Sequence, residues 1–434
     1  MTAVPDAVVV HPLRPGRALG GRVRVPGDKS VSHRAFLLAA LADGAVAVRG
    51  AALSGDVAAT VGCLRRLGAT VDGDLTDAVV HGAVSEPTDV LDCGNSGTAL
   101  RLLAGVCATV EGLSVLTGDA SLRGRPMGRV AEPLRRMGAR VDGRHGGRLA
   151  PLTVRGGGLR AIEHRSAVAS AQVKSCVLLA GLRAEGTTTV TEPATSRDHT
   201  ERMLAWLGAD TGRDGAVAWV RPGPLRARPL RVPADPSSAA FWMVAAACVP
   251  GSRVELGDVC LNPTRTGAVD VLRAMGARVD GVADREWSGE PVGDLRVDAA
   301  PLGPADVGGD LVVRAIDELP VLAVAGALGG GLRVRGAGEL RVKESDRIAG
   351  VARLLSALGA DVTVRDDGFD VPGGATLRGG TVDSLGDHRV AMSAAVAALA
   401  ARDPVRVTGF SAVATSYPSF LADLAELGGR WEPA

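Results

Sequence analysis

Six times along this 434-residue chain, an apolar residue followed by Gly and then Ala or Gly closes a helical pattern. The sites are Leu67-Gly68-Ala69, Met137-Gly138-Ala139, Leu207-Gly208-Ala209, Met275-Gly276-Ala277, Leu358-Gly359-Ala360 and Leu427-Gly428-Gly429, spaced 70, 70, 68, 83 and 69 residues apart. Gly at this place marks a helix C-terminus, because the next residue must take a left-handed conformation that a Cβ opposes. A second marker interleaves with the first. Short β-type runs at residues 45–48, 113–116, 187–190, 252–255, 332–335 and 405–408 each follow an Ala/Leu/Val-rich helical stretch, at 31–42, 98–109, 170–182, 237–248, 319–328 and 389–400. Each unit of about 70 residues therefore predicts helix, strand, helix, then further strands. A unit this large and mixed suits six small α/β modules better than a solenoid or propeller. The halves also echo one another: Arg24-Val25-Pro26-Gly27-Asp28-Lys29-Ser30 is matched by Arg231-Val232-Pro233-Ala234-Asp235-Pro236-Ser237. Three units plus three predict two similar domains with a crossing near residues 231–236.

Composition narrows the function. There are 49 cations and 48 acids, so no basic excess is available for a nucleic-acid surface. The longest apolar stretch, Ala239 to Val249, is too short to span a membrane. The start has no apolar signal segment, and six cysteines without metal-ligand spacing read as reduced, buried thiols, so a cytoplasmic protein is expected. Only Lys29, Lys174 and Lys343 are lysine, against 46 arginines; Asn95, Asn262, Gln172 and Tyr417 are comparably rare types. Lysine is a compact charge where arginine is a bulky fork, so a surviving lysine marks a place that arginine cannot fill. All seven survivors lie in short polar motifs, which makes them candidate functional residues. Lys174, four residues past Ser170, is expected to support a binding loop rather than contact reacting atoms.

The motifs fall at predicted helix starts, where unpaired N–H groups and the helix dipole favour anions. Gly27-Asp28-Lys29-Ser30-Val31-Ser32-His33-Arg34 lacks the spacing of a nucleotide P-loop but places Lys29, Ser30 and Arg34 where they can grip a phosphate or carboxylate. Asp92-Cys93-Gly94-Asn95-Ser96-Gly97-Thr98 is a Gly-rich turn into a helix. Asp317, and Glu344 beside Lys343, are a candidate acid–base pair, with their individual roles left open. No His/Cys ligand set and no Gly-x-Ser-x-Gly elbow occurs, so neither a catalytic metal nor serine-hydrolase chemistry is expected.

Taken in order, Gly-Asp-Lys-Ser-Val-Ser-His-Arg, Gly-Asn-Ser-Gly-Thr, Arg-Pro-Met, Ser-Ala-Gln-x-Lys, Asn-Pro-Thr-Arg, Val-Lys-Glu-Ser-Asp-Arg and Gly-Asp-His-Arg span nearly the whole chain. Together they resemble the 5-enolpyruvylshikimate-3-phosphate synthase family. The resemblance implies an enolpyruvyl transferase-like α/β fold, an inside-out α/β barrel of two domains with three βαβαββ units each. It implies domains of residues 1–20 plus 236–434 and of 21–235, with the active site in the interdomain cleft. It also implies a monomer with no cofactor and no metal, acting on shikimate 3-phosphate and phosphoenolpyruvate, with no nucleic-acid or membrane partner. Lys29, Ser30, Arg34, Ser170, Ala171, Gln172, Ser196, Asp317 and Lys343 would bind shikimate 3-phosphate. Lys29, Gly97, Arg125, Gln172, Arg347 and Arg389 would hold phosphoenolpyruvate. Asp317, Glu344 and Lys29 would be catalytic, with Asp317 the base at the hydroxyl and Glu344 the proton donor and acceptor at carbon. The family is the target of glyphosate, which competes with phosphoenolpyruvate, and Gly97 stands where strongly tolerant members carry Ala. Thr415 stands where many relatives have a lysine. Two other readings stay open. One is an enolpyruvyl transferase acting on UDP-N-acetylglucosamine, although the loop from Thr117 to Pro126 lacks its reactive cysteine. The other is a non-catalytic phosphometabolite-binding protein on the same scaffold.

Overall fold

A computed structural model describes residues 4–434. All six Gly motifs end helices, and each does so with the same paired bonds. Gly68 N donates to Arg65 O and Ala69 N to Leu64 O; the same two bonds recur at Gly138/Ala139, Gly208/Ala209, Gly276/Ala277, Gly359/Ala360 and Gly428/Gly429. The glycine φ angles run from 81° to 107°, a range that L side chains adopt only under strain. The long apolar helices form as Lys29–Leu41, Gly97–Ala108, Ala171–Gly181, Pro236–Cys248, Leu319–Leu328 and His388–Leu399, within two residues of the predicted limits. They are apolar on nearly every face, so they are buried on nearly every face.

The chain divides into two compact units. One comprises the chain up to Pro26 together with Ala234–Arg285 and Pro291–Ala434; the other comprises Gly27–Pro233 and Glu286–Glu290. The sequence expectation ended the N-terminal segment at residue 20. Strand Gly20–Val23 instead pairs with Arg253–Cys260, which keeps residues 21–26 in the first unit.

Six sheets share one pairing pattern: a parallel edge strand, a central strand, then two antiparallel neighbours. In the second unit the central strands are Ala45–Arg49, Gly112–Thr117 and Thr188–Thr191; in the first they are Arg253–Cys260, Gly331–Val334 and Val405–Thr408. The last of these pairs with Ala7–His11, so the N-terminal strand completes the sheet made by the C-terminal one. Among the described residues, no single sheet closes into a barrel.

Each unit has its own core. That of Gly27–Pro233 is almost wholly Val, Leu and Ala, with Phe36 its one fully buried aromatic residue and Trp206 packed partly buried against it. Gly105 is required there: a Cβ at this position would lie 2.3 Å from the Cys176 carbonyl oxygen, on the neighbouring helix. The other core holds an aromatic group, in which Trp242 stacks on Phe420 at 4.7 Å and donates from Nε1 to Tyr417 Oη at 2.7 Å. The six cysteines are free thiols, all buried except the partly buried Cys248.

Candidate functional site

In the unit Gly27–Pro233, three buried helices begin at capped starts. Asp28 accepts from Val31 N at 2.9 Å, Ser96 from Ala99 N at 3.1 Å and Ser170 from Val173 N at 3.5 Å. Side chains bind these starts together. Arg34 donates from Nε to Thr200 Oγ1 at 2.7 Å, from Nη2 to Ser175 Oγ at 2.6 Å and from Nη1 to Ser30 O at 2.9 Å. Gln172 donates to Thr98 Oγ1 at 2.8 Å and accepts from Arg101 Nη1 at 2.5 Å. Three positive helix ends and several cations thus share one region, an arrangement suited to anions.

Lys29 pairs with Asp56 at 2.9 Å and keeps 16% of its side chain exposed. Arg125 donates to Asn95 Oδ1 at 2.6 Å, and Asn95 donates to Asp119 at 2.6 Å. Gly97 lies against this group: a Cβ there would sit 3.0 Å from Arg101 Nη1 and 3.4 Å from Arg125 Nη1. Arg197 reaches Ser30 Oγ at 3.5 Å. Burial pushes the Arg34 guanidinium down to about 10, against the attraction of Glu201, so it stays charged at neutral pH. Burial also drives the His33 imidazole down to about 3; it shares a 2.7 Å hydrogen bond with Thr60 and is neutral.

Lys174 differs from the other two lysines. It is 2% exposed and paired at 2.9 Å with both Glu192 and Glu201. Burial alone would lower its pKa, but the two carboxylates outweigh burial and hold it above the ordinary lysine value.

In the other unit, the starts of Pro236–Cys248, Leu319–Leu328 and His388–Leu399 are likewise joined. Ser237 Oγ donates to Glu318, and Arg389 Nη1 donates to the Asp317 carbonyl at 3.0 Å. The centre is Arg347, which is 1% exposed. It meets Glu344 at 2.6 Å, Asp387 at 2.9 Å and Asp317 at 3.1 Å. Lys343 approaches the same Asp317 oxygen at 3.3 Å. Burial alone would raise the Asp387 carboxyl; Arg347 outweighs it and holds Asp387 below the usual carboxylate range. The same carboxylates raise Arg347 despite its burial. The arrangement offers two part-exposed carboxylates, Asp317 and Glu344, on one locked guanidinium, with a part-exposed ammonium beside them. That is a layout for proton transfer next to a bound anion.

Within the second unit, Arg34 joins Ser30 to Ser175 and Thr200, and Gln172 joins Thr98 to Arg101. Lys29 pairs with Asp56, Arg125 with Asn95, Gly97 starts the helix Gly97–Ala108, Ser170 and Ala171 start the helix Ala171–Gly181, and Ser196 donates to Glu192. Within the first, Asp317, Lys343, Glu344 and Arg347 gather through ion pairs, with Arg389 bound to the Asp317 carbonyl. Residue rarity misled at two positions. Tyr417 is fully buried and donates to Asp423 at 2.6 Å, and Asn262 folds back on Thr264 N at 2.9 Å; both serve the scaffold. Thr415 ends the 3-10 turn Phe410–Thr415, its hydroxyl bound to Ala412 O at 2.7 Å. Sequence reasoning did not single out Asp56, Arg101, Glu192 or Glu201, and it gave Asp387 no role. The signal available for Asp387 was its place as a helix N-cap two residues before Arg389. Among the described residues, no cluster of three His, Cys, Asp or Glu is placed to hold a metal, and no helix is long and apolar enough to cross a membrane.

Comparison with known proteins matches residues 13–424 to the family model "EPSP synthase (3-phosphoshikimate 1-carboxyvinyltransferase)". A curated 3-phosphoshikimate 1-carboxyvinyltransferase of Synechococcus sp. (strain JA-3-3Ab) is 52% identical, covering 98% of both chains. That of Gloeobacter violaceus is 53% identical over 96% of this chain and 98% of its own. A solved structure of EPSP synthase from Acinetobacter baumannii superposes with a TM-score of 0.88 at 40% identity, covering 98% of this chain and 99% of the other. The chain belongs to the EPSP synthase family.

Proposed function

We propose that this protein transfers the enolpyruvyl group of phosphoenolpyruvate to the 5-hydroxyl of shikimate 3-phosphate and releases phosphate. The observation that carries the reading is the pair of carboxylates, Asp317 and Glu344, held on Arg347 beside Lys343. The reaction needs one proton transfer at the hydroxyl oxygen and two at C3. The 5-hydroxyl loses its proton to Asp317 as its oxygen bonds to C2 of phosphoenolpyruvate, and C3 gains a proton from Glu344. In the resulting tetrahedral intermediate, Glu344 takes a proton back from C3 while the C2–O bond to phosphate breaks. One residue serves as acid and then base, as reversing the same transfer requires.

The ion pairs suggest how Glu344 becomes an acid. Arg347 neutralises Asp317, Glu344 and Asp387. An anionic substrate that recruits Arg347 and Arg389 weakens the hold on Glu344 and adds a like charge near it, and both changes favour its protonated form. Lys343 and Lys29 would offset charge on the reacting oxygens. Lys29, Ser30, Arg34, Ser170, Ala171, Gln172 and Ser196 would bind shikimate 3-phosphate with Asp317 and Lys343; Lys29, Gly97, Arg125, Gln172, Arg347 and Arg389 would hold phosphoenolpyruvate.

The test is phosphate release from phosphoenolpyruvate by the full chain. Release should require shikimate 3-phosphate, and UDP-N-acetylglucosamine should not replace it. Release independent of shikimate 3-phosphate, or supported by the nucleotide sugar, would overturn the reading.

A further inference from the structure

Glu192 is 5% exposed, and its two carboxylate oxygens meet three donors. Oε1 accepts from the Ser170 backbone N–H at 2.8 Å. Oε2 accepts from the Ser196 hydroxyl at 2.7 Å and is paired with Lys174 Nζ at 2.9 Å. One buried group thereby spans two loops, the start of helix Ala171–Gly181 and the turn that precedes His199–Trp206. Lys174 also lies 3.5 Å from the Ser196 carbonyl oxygen, so the ammonium and the carboxylate hold the same residue from two sides.

Opposite charges are paired around this group. Lys174 pairs with Glu192 and Glu201, and Glu201 attracts the buried Arg34. Two cations thus face two anions, joined to the Ser175–Thr200 hydroxyl pair through Arg34. A buried ion-paired set of this kind fixes geometry more than it adds stability.

We infer that Glu192 is a positioning residue, which sets Ser170 and Ser196 at a fixed separation for the phosphate-bearing substrate. One of its oxygens accepts from Ser170 and the other from Ser196 while pairing with Lys174, so the carboxylate engages both serines at once. The inference rests on the proposal that Ser170 and Ser196 bind shikimate 3-phosphate. It also gives Lys174 its reason for being lysine: an ammonium donates in three directions from one atom, which suits two carboxylates and a carbonyl around a single point.

Glu192→Gln tests it. The amide has nearly the size of the carboxylate but only one accepting oxygen, so at least one of the three donors must face the NH2 group. Losing one charge-assisted bond at a buried site corresponds to about tenfold in binding. The Michaelis constant for shikimate 3-phosphate should therefore rise on the order of tenfold, while turnover and the phosphoenolpyruvate constant change less than about threefold. The same substitution is then made in a Ser196→Ala background, where most of this effect should disappear because Glu192 acts through the serine. Three results would overturn the inference: an unchanged Michaelis constant in Glu192→Gln, an equal cost in both backgrounds, or parallel losses in all kinetic constants and in melting temperature. If Ser196→Ala alone leaves the constant unchanged, the assignment of Ser196 to the substrate fails first, and the role of Glu192 fails with it.

Discussion

Lys343→Arg is the sharpest test of the idea that surviving lysines cannot be arginine. Lys343 Nζ lies 3.3 Å from Asp317 Oδ1, an oxygen already engaged by Arg347 at 3.1 Å. A guanidinium at this position brings a planar fork that matches a carboxylate through two parallel bonds. It would engage Asp317 more fully than an ammonium does, and Asp317 needs a free lone pair for the substrate hydroxyl. One added charge-assisted bond in the resting enzyme is worth about 1.5–3 kcal/mol. With 25% of the Lys343 side chain exposed, solvent screening favours the lower end. A loss of about 1.4 kcal/mol at the transition state is a tenfold fall in kcat. The assay is phosphate release with both substrates saturating, alongside a thermal melt. The expected result is at least a roughly tenfold loss of turnover with the melting temperature nearly unchanged. Wild-type turnover in Lys343→Arg would refute the argument. Lys29→Arg, at the Asp56 pair, should behave likewise.

Three further outcomes follow from the geometry. Gly97→Ala should weaken glyphosate more than roughly tenfold while raising the phosphoenolpyruvate Michaelis constant less, because the new methyl presses on Arg101 and Arg125 at 3.0 and 3.4 Å; inhibition assays with equal losses for both ligands would contradict this. Lys174→Arg should lower stability by about 2 kcal/mol, measured by denaturant unfolding, since the larger head must enter a fully packed site between two buried glutamates; an unchanged midpoint would count against that packing. His33 titrates at about 3 in the fold and near 6.5 when unfolded, so between these values the unfolded chain binds a proton that the fold refuses, and stability falls as pH drops through that window. His33→Gln should flatten the decline of melting temperature between about pH 6.5 and 4, and an unaltered slope would exclude His33 as its source.

Local signals made much of the fold legible. The six glycines after helices are read correctly because only a left-handed residue can close the paired bonds seen at Gly68 and its five counterparts. The long helices are legible because Ala, Leu and Val dominate on every face, which suits full burial. Residue rarity marked Lys29, Lys343, Asn95 and Gln172, all placed at the two clusters. The same signal failed at Tyr417, because rarity does not separate a hydroxyl that binds a ligand from one that joins Trp242 to Asp423 inside a core. Lys174 was legible as support, but its partners were not. Glu192 and Glu201 lie 18 and 27 residues beyond it in sequence, and no spacing rule connects a buried carboxylate to serines brought near by tertiary contacts. Asp387 was hidden for a related reason: as a helix N-cap it already had a sufficient local role, and its hold on Arg347 appears only when residues 40 positions apart meet.

The central claim is that Glu344 gives a proton to C3 of phosphoenolpyruvate and takes one back. It is tested most directly by running the reaction in deuterated water with shikimate 3-phosphate present and following the vinyl protons of phosphoenolpyruvate and product by NMR. Transient conversion of C3 to a methyl group should place deuterium in the methylene of the product, and of recovered phosphoenolpyruvate where addition reverses. Glu344→Gln should abolish that incorporation while shikimate 3-phosphate still binds. Product formed without deuterium at C3, or incorporation that continues at the wild-type rate in Glu344→Gln, would contradict the account.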